Sequence, residues 1–360
     1  MFAVRRANPT SITVAGEKAL QELSRQHPLP AVILQHREIK KLRSTYIDPF
    51  CSLAADSQDG RLHSSFLQLA TVTGRLASCN PNLQNLPRGP CVVPPVHAAD
   101  GTEVREGFTI NIRQAIRASE GCVFVASDFC QLEVRILAHF CRDPTLIGLL
   151  SSDGDTFRLL YSRWRNIPVA AVSDSDRARA KQCIYGVIYG MGPDELAQRL
   201  SIPRQQALGL MKDFRQRFPV IETWRQSTLR LSRQANACHT LFRRRRHLPN
   251  LHSTVGSDRA QAERMAVNGV IQGTASDIMK QAMVQADKGI SQLLERLREA
   301  APGGTCQCVL QVHDELVYEV SEGWAAAVAR ELSAAMEGCV PLEAPLRVST
   351  TIGRSLGDLR

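Results

Sequence analysis

Two aspartates stand where this chain could carry out metal-assisted chemistry. Asp128 ends the apolar run VFVAS and opens the segment FCQLEVR, while Asp314 lies between two short alternating apolar runs in QVHDELVYEV. Taken singly, an aspartate at a strand end is usually a turn former or a helix cap. Two of them in a basic chain point to a carboxylate pair that holds two metal ions for phosphoryl transfer.

Two helical stripes offer what such a pair would act on. In RARAKQCIYGVIYG, residues 177–190, Arg177, Lys181 and Tyr185 are spaced i, i+4, i+8 and share one face, with Tyr189 at its edge. Two cations fixed on one face can clamp a triphosphate and offset charge on a leaving pyrophosphate. An aromatic ring one turn further on can stack on a base or sugar. The alternative is a solvated basic face with a core tyrosine.

In AERMAVNGVIQGTASDIMKQAM, Arg264, Asn268 and Gln272 repeat that spacing on a helix otherwise built for burial. Minor-groove acceptors occupy nearly equivalent places on every base pair, so these donors can test pair geometry without reading sequence. A polar network packed on another domain is the alternative. Gly269 and Gly273 would let a backbone approach closely. The loop TVTGRLASCNPNLQNLP holds the donors Arg75, Asn82, Gln84 and Asn85, although alone it is an Asn/Pro turn segment. The run Arg243–Arg246 stays open between a solvated face, a localisation signal and a phosphate contact.

The elements around these residues define a mixed α/β chain. Residues 17–45 have helical periodicity with a break at HPLP, and 60–87 read as short strands before an Asn/Pro loop. Residues 88–109 are rich in Pro, Gly and charge and read as a flexible insertion. A buried strand at 122–127 precedes a helix at 129–141, and 174–240 and 257–299 are helical blocks. A hairpin at 308–320, a helix and a last strand close the chain.

Composition agrees with a polyanion partner. The 44 Lys and Arg against 35 Asp and Glu leave +9, and the pI is about 9.2. Eleven cysteines without a paired CxxC framework imply a reducing compartment and thiols used as apolar filler. No apolar stretch approaches membrane-span length, so no membrane partner is expected. The basic start MFAVRRANPTSITVAG weakly resembles a transit peptide; a frayed end before the first helix is the preferred expectation.

These motifs resemble, in order, those of the family A DNA polymerases, the bacterial DNA polymerase I group. DFCQLEVR at 128–135 and QVHDELVYEV at 311–320 resemble the family's two catalytic motifs, and 177–190 its nucleotide-binding fingers helix. TGRLASCNPNLQNLP and AERMAVNGVIQGTASDI resemble two DNA-contacting segments. The resemblance implies a right-hand fold with an antiparallel palm sheet, helical fingers and a truncated thumb. The thumb would cover 1–45, the palm 46–173 and 256–360, and the fingers 174–255.

The resemblance also implies roles for individual residues. Asp128 and Asp314, with the Phe129 carbonyl, would hold two Mg²⁺ ions, supported by Glu315. Arg177 and Lys181 would bind a deoxynucleoside triphosphate, Lys181 also serving as proton donor to pyrophosphate. Tyr185 would bind the nucleotide at a position that is Phe or Tyr across the family, Tyr there resembling members that accept dideoxynucleotides, and Glu133, tied to Tyr189, would exclude ribonucleotides. Arg75, Asn82, Gln84, Asn85, Arg264, Asn268 and Gln272 would contact primer-template DNA, His313 the primer end, and Gln131 would support them.

The departures from the bacterial pattern are equally specific. No 3′–5′ exonuclease segment is present, and the first thumb helices are missing, as in a fragment of a longer protein that works with other domains or repair proteins. The insertion at 88–109 looks more like the eukaryotic theta/nu branch, which implies repair, end joining or translesion synthesis in the nucleus. Arg243 stands where the family commonly has Gly, so the turn should be remodelled if that position needs positive φ. An RNA polymerase-like enzyme and a non-catalytic DNA-binding fragment are the alternatives.

Overall fold

The computed structural model describes residues 16–97, 103–300 and 302–359, which fall into two compact units. The first takes the described residues of 1–65 together with Asn80–Ile116. Its helices are Glu17–Leu23, Leu29–Leu42 and Asp48–Asp56, the last two joined by a π-helical turn at Arg43–Ile47. The helical stretch therefore passes its expected end at 45 and reaches Asp56. No Gly or Pro interrupts 31–48, and Pro49 falls in a first turn, where its missing N–H leaves no bond unmade. Leu42 and Tyr46 are buried one turn apart, and the Tyr46 hydroxyl donates to the Asn85 carbonyl at 2.8 Å.

The stretch 88–109 is not an aperiodic loop. Cys91–Val93 pairs antiparallel with Phe108–Ile110, and Val96–His97 with Glu103–Arg105. Cys91 and Val93 are buried while Val92 is exposed, the alternation of a strand with one covered face. The neighbouring prolines hide this short period in the sequence. Residues 98–102 lie outside the described residues, as do 1–15, where the transit-peptide likeness falls.

The second unit, Phe66–Cys79 with the described residues of 117–360, contains a four-stranded antiparallel sheet. In chain order its main elements are β1 (Cys122–Phe129), α1 (Leu132–Cys141), α2 (Thr156–Arg165), α3 (Asp174–Tyr189), α4 (Pro219–Ala235) and α5 (Gly256–Ala300). These are followed by β2 (Cys306–Val312), β3 (Glu315–Ser321), α6 (Ala325–Glu337) and β4 (Val348–Gly353). The sheet order is β2-β3-β1-β4. Residues 123–127 of the central β1 are all buried, so this strand reads as an unbroken apolar run instead of an alternation.

Pairing with β4 places Phe129 opposite Val348 and extends β1 two residues past its expected end. The helix expected from 129 consequently begins at Leu132, after a bend in which Gln131 has φ 50°. Arg135, 3% exposed, anchors this bend from within: Nε donates to the Cys130 carbonyl at 2.8 Å and Nη1 to the Leu150 carbonyl at 2.9 Å. Helix α5 has 45 residues, about 68 Å at the usual rise. Fully buried Ala275, Ala282 and Ala286 let it sit close in the main core.

A hairpin of Ala237–His239 and Arg245–His247 packs beside α5. Arg243 itself adopts a positive φ of 63° in its turn, and its N–H donates to the Thr240 carbonyl at 2.9 Å. A left-handed conformation is unfavourable for a residue with a Cβ by about 1 kcal/mol. Arg243→Gly is therefore expected to stabilise the protein by about that amount in chemical denaturation. A midpoint unchanged from wild type would show the turn to be unstrained.

Candidate active site

Strand pairing brings the two aspartates together. Val312 pairs with Glu315, leaving His313 and Asp314 as the two-residue turn between β2 and β3. His313 takes φ 52°, the left-handed conformation common in such tight turns, and its carbonyl accepts from Gln311 Nε2 at 2.6 Å. The Asp314 carbonyl accepts from the Phe129 N–H at 3.1 Å, which ties this turn to the end of β1. There Asp128 lies directly across from Glu315 in the ladder.

The site is electrostatically tense around Asp314, whose side chain is 25% exposed. Burial pushes its carboxyl up to about 6; Arg75 opposes the rise, and the negative charges of Glu133 and Asp128 add to it. A divalent cation would relieve this crowding. Asp128, Asp314 and the Phe129 carbonyl would offer hard oxygen donors of the kind that divalent Mg²⁺ takes. Among the described residues no cluster of three or more His, Cys, Asp or Glu side chains forms a protein-only cage.

Glu133 occupies the centre of a second network and is buried. Arg75 Nη2 donates to Glu133 Oε1 at 3.0 Å and lies 3.7 Å from Asp314 Oδ1. The Tyr189 hydroxyl donates to the other Glu133 oxygen, so the hydrogen bond expected between these two is present. Burial first, then the Glu133 charge, raises the Tyr189 phenol well above its ordinary range and keeps it a donor. Tyr185 stacks on Tyr189 with centroids 5.9 Å apart, and burial followed by the Glu133, Asp314 and Asp128 charges pushes its phenol up to about 12. Tyr185 thus lies within range of both aspartate charges.

Further along that stripe, Arg177 Nε donates to Asp155 Oδ2 at 2.6 Å, and Lys181 is exposed. Burial alone would raise the Asp155 carboxyl; hydrogen bonds from Arg177 and from the Arg158 and Phe157 N–H groups outweigh it and hold the carboxyl below its usual range. The Gln131 side chain accepts from Thr156 Oγ1 at 3.5 Å, beside the start of α2. Asp155, which caps that helix, carried no signal in the sequence beyond an ordinary helix cap.

On α5, Arg264 packs under Gly190, whose φ is 63°; a Cβ there would lie 2.8 Å from Arg264 Cγ. The buried Asn268 Oδ1 and Ser276 Oγ have no hydrogen-bond partner. Gly269 and Gly273, by contrast, serve the protein's own packing. A Cβ at these positions would meet Cys238 Sγ at 2.5 Å and Thr240 Cγ2 at 2.6 Å, so the close approach is that of the 237–247 hairpin.

The structure also separates the arginine run. Arg244 Nε donates to Asp277 Oδ1 at 2.9 Å, and Nη2 donates to the Thr73 and Gly273 carbonyls at 2.6 and 3.0 Å. It thereby fixes the loop that presents Arg75. Neighbouring Arg245 reaches only the Ala235 carbonyl, at 3.4 Å. Lys280, Ser276, Gln311 and His313 line a small pocket with Arg75; of these, Lys280, Ser276 and Gln311 were not singled out from sequence. Asn82, Gln84 and Asn85 belong to the first unit, where Asn82 Oδ1 accepts from the Gln84 N–H at 3.1 Å.

The fold is that of a polymerase domain. A solved structure, the POL domain of Pol1 from M. smegmatis in complex with DNA primer-template and dNTP, matches with a TM-score of 0.81 and 33% identity over 98% of this chain and 57% of that one. The chain belongs to DNA polymerase family A, whose sequence model matches residues 3–358. It is similar to the thermostable DNA polymerase I of Thermus aquaticus, 40% identical over 98% of this chain and 39% of that protein. It is also similar to DNA polymerase I of Pseudomonas aeruginosa, 35% identical over 94% of this chain and 34% of that protein. The chain therefore spans about two fifths of the length of the Thermus relative.

Proposed function

We propose that this chain is a DNA-templated DNA polymerase that adds deoxynucleotides to a primer 3′-hydroxyl. The observation that carries the proposal is the meeting of Asp128 and Asp314 at adjoining strand ends, with Tyr185 of the cationic α3 stripe close enough to feel both charges. Asp128, Asp314 and the Phe129 carbonyl would hold divalent ions, Mg²⁺ in this proposal, which when bound acidify the attacking hydroxyl and offset charge on the leaving pyrophosphate. Arg177 and Lys181 bind the triphosphate, and Lys181 delivers a proton to pyrophosphate. Arg75, Arg264, Asn268, Gln272 and His313 hold the primer-template, with Asn82, Gln84 and Asn85 as further contacts. Thumb, palm and fingers boundaries at 45, 173 and 255 belong to the same proposal.

Glu133 sets sugar selectivity. Held by Arg75 on one oxygen and Tyr189 on the other, its carboxylate is a rigid wall at the nucleotide. Glu133→Ala is expected to lower the dNTP-over-rNTP preference by about 100-fold, the scale of discrimination that a shaped pocket supplies. An unchanged preference in single-nucleotide incorporation would remove Glu133 from this role. The same wall disfavours the RNA polymerase-like alternative.

Primer extension with Mg²⁺, alongside an Asp314→Ala control, tests the proposal as a whole. Equal activity of the two proteins would sink it and favour a DNA-binding fragment. We further propose that the chain does not trim mismatched primer ends and that it serves repair synthesis; a mismatched-primer assay reads the first. The theta/nu affinity and the nuclear location rest on the length of 88–109, whereas the relatives named above are bacterial. Imaging of the tagged chain in its source cells tests the location.

A further inference from the structure

Three successive positions of the α3 stripe converge on one buried ring. Phe157, the second residue of α2, is 3% exposed. Arg177 Cζ lies 5.6 Å and Lys181 Nζ 5.8 Å from its centroid, and the Tyr185 ring lies 6.2 Å away at 46°. A buried phenylalanine is ordinarily core filling. Energetically significant cation–π contacts occur roughly once per 70–80 residues, so two cations within 6 Å of one ring call for a different account. The residue two before it adds to that account, since Asp155 receives the Arg177 guanidinium and caps α2 through the Phe157 and Arg158 N–H groups.

We infer that Phe157 is a positioning residue for nucleotide binding: its ring is a shared platform that holds the Arg177 and Lys181 cations in register for a nucleoside triphosphate. The inference rests on the polymerase assignment and adds a residue that assignment leaves out. Two cations one turn apart on an exposed edge repel each other, and each long side chain has considerable rotamer freedom to lose on binding. The negative face of the ring attracts both without neutralising either. Asp155 counters only the arginine, so net positive charge remains for a polyphosphate. A triphosphate then meets cations that are already ordered, and less entropy is lost on binding.

The distinguishing test compares Phe157→Leu, which keeps apolar bulk but has no π face, with Phe157→Tyr. In single-nucleotide incorporation, Phe157→Leu is expected to raise KM for the dNTP about tenfold, the scale of two cation–π contacts, with kcat within about threefold. Pyrophosphate inhibition should weaken in parallel, while primer-template affinity and Tm stay near wild type, and Phe157→Tyr should stay within about twofold of wild type in KM. Two outcomes overturn the inference: an unchanged KM in Phe157→Leu, or parallel losses of nucleotide affinity, DNA affinity and Tm that the tyrosine does not rescue.

A separate readout needs no activity. The Lys181 ε-methylene protons, seen by NMR in lysine-labelled protein, should carry an upfield ring-current shift that Phe157→Leu abolishes. An unshifted resonance in the wild type overturns the platform even if the enzyme is active. A shifted resonance in a protein that does not extend primers would instead fault the polymerase assignment.

Discussion

Asp314→Asn is expected to lower single-nucleotide incorporation by at least about 10³-fold, roughly 4 kcal/mol, while making the metal-free protein more stable at pH 7.5. The two effects share a cause. Burial and the neighbouring Glu133 and Asp128 charges, only partly offset by Arg75, raise the folded-state pKa of Asp314 to about 6 from its ordinary 3.8. Below pH 3.8 the group is protonated in both states and carries no penalty. As pH rises from there through 6, the unfolded chain gives up the proton first, so stability falls; above 6 the loss is complete, roughly 1–3 kcal/mol.

Asparagine removes that loss, so in EDTA the variant should melt above wild type at pH 7.5 and level with it near pH 4. Saturating Mg²⁺ should narrow the gap by stabilising the wild type. Asp128→Asn provides the contrast. Asp128 is exposed, so its replacement should remove comparable activity with a smaller gain in stability. A destabilised Asp314→Asn protein at pH 7.5 would refute the electrostatic account even if activity were lost.

Arg244→Leu should be the most damaging change within the arginine run, lowering stability by about 2–4 kcal/mol and Tm by roughly 3–5 °C. The guanidinium ties its hairpin to two other pieces of chain: the Thr73 carbonyl, and on α5 both the Gly273 carbonyl and the Asp277 carboxylate. Asp277 is only 12% exposed, and one of its oxygens already lacks a partner. Without Arg244 its buried charge is uncompensated, and leucine offers no donor to either carbonyl. Because Thr73 precedes the loop that presents Arg75, primer extension should fall as well.

The double variant Arg244→Leu with Asp277→Leu isolates the pair. It should recover part of the stability lost in the single change, because the uncompensated carboxylate is gone. Arg245→Ala should cost about 0.5 kcal/mol or less, since that side chain makes one long contact at the surface. Equal melting of the Arg244 and Arg245 variants would reject the anchor.

Much of the site was legible because local periodicity reports which residues share a face. The i, i+4, i+8 spacing put Arg177, Lys181 and Tyr185 on one stripe, and the structure gathers them over Phe157. The apolar run before Asp128 marked a buried strand, and pairing with β4 merely lengthened it to Phe129. Other features depended on neighbours that no local pattern names. The paired strands within 88–109 were hidden by prolines. Gly269 and Gly273 were expected to admit a close backbone, but what approaches them are the Cys238 and Thr240 side chains of the chain's own hairpin. Four consecutive arginines look alike in sequence, yet only Arg244 reaches Asp277.

The sequence by itself determined which residue types were present, their helical or strand phase, and through its ordered motifs the family. Only the tertiary structure decided which of them meet. The register that sets Glu315 opposite Asp128, and the turn that ties Asp314 to Phe129, join residues far apart in the chain. So does the ring beneath two cations of another helix. The physical reason is range: backbone periodicity acts over a few residues, whereas charge crowding, burial and cation–π attraction act through space and depend on the packing that folding completes.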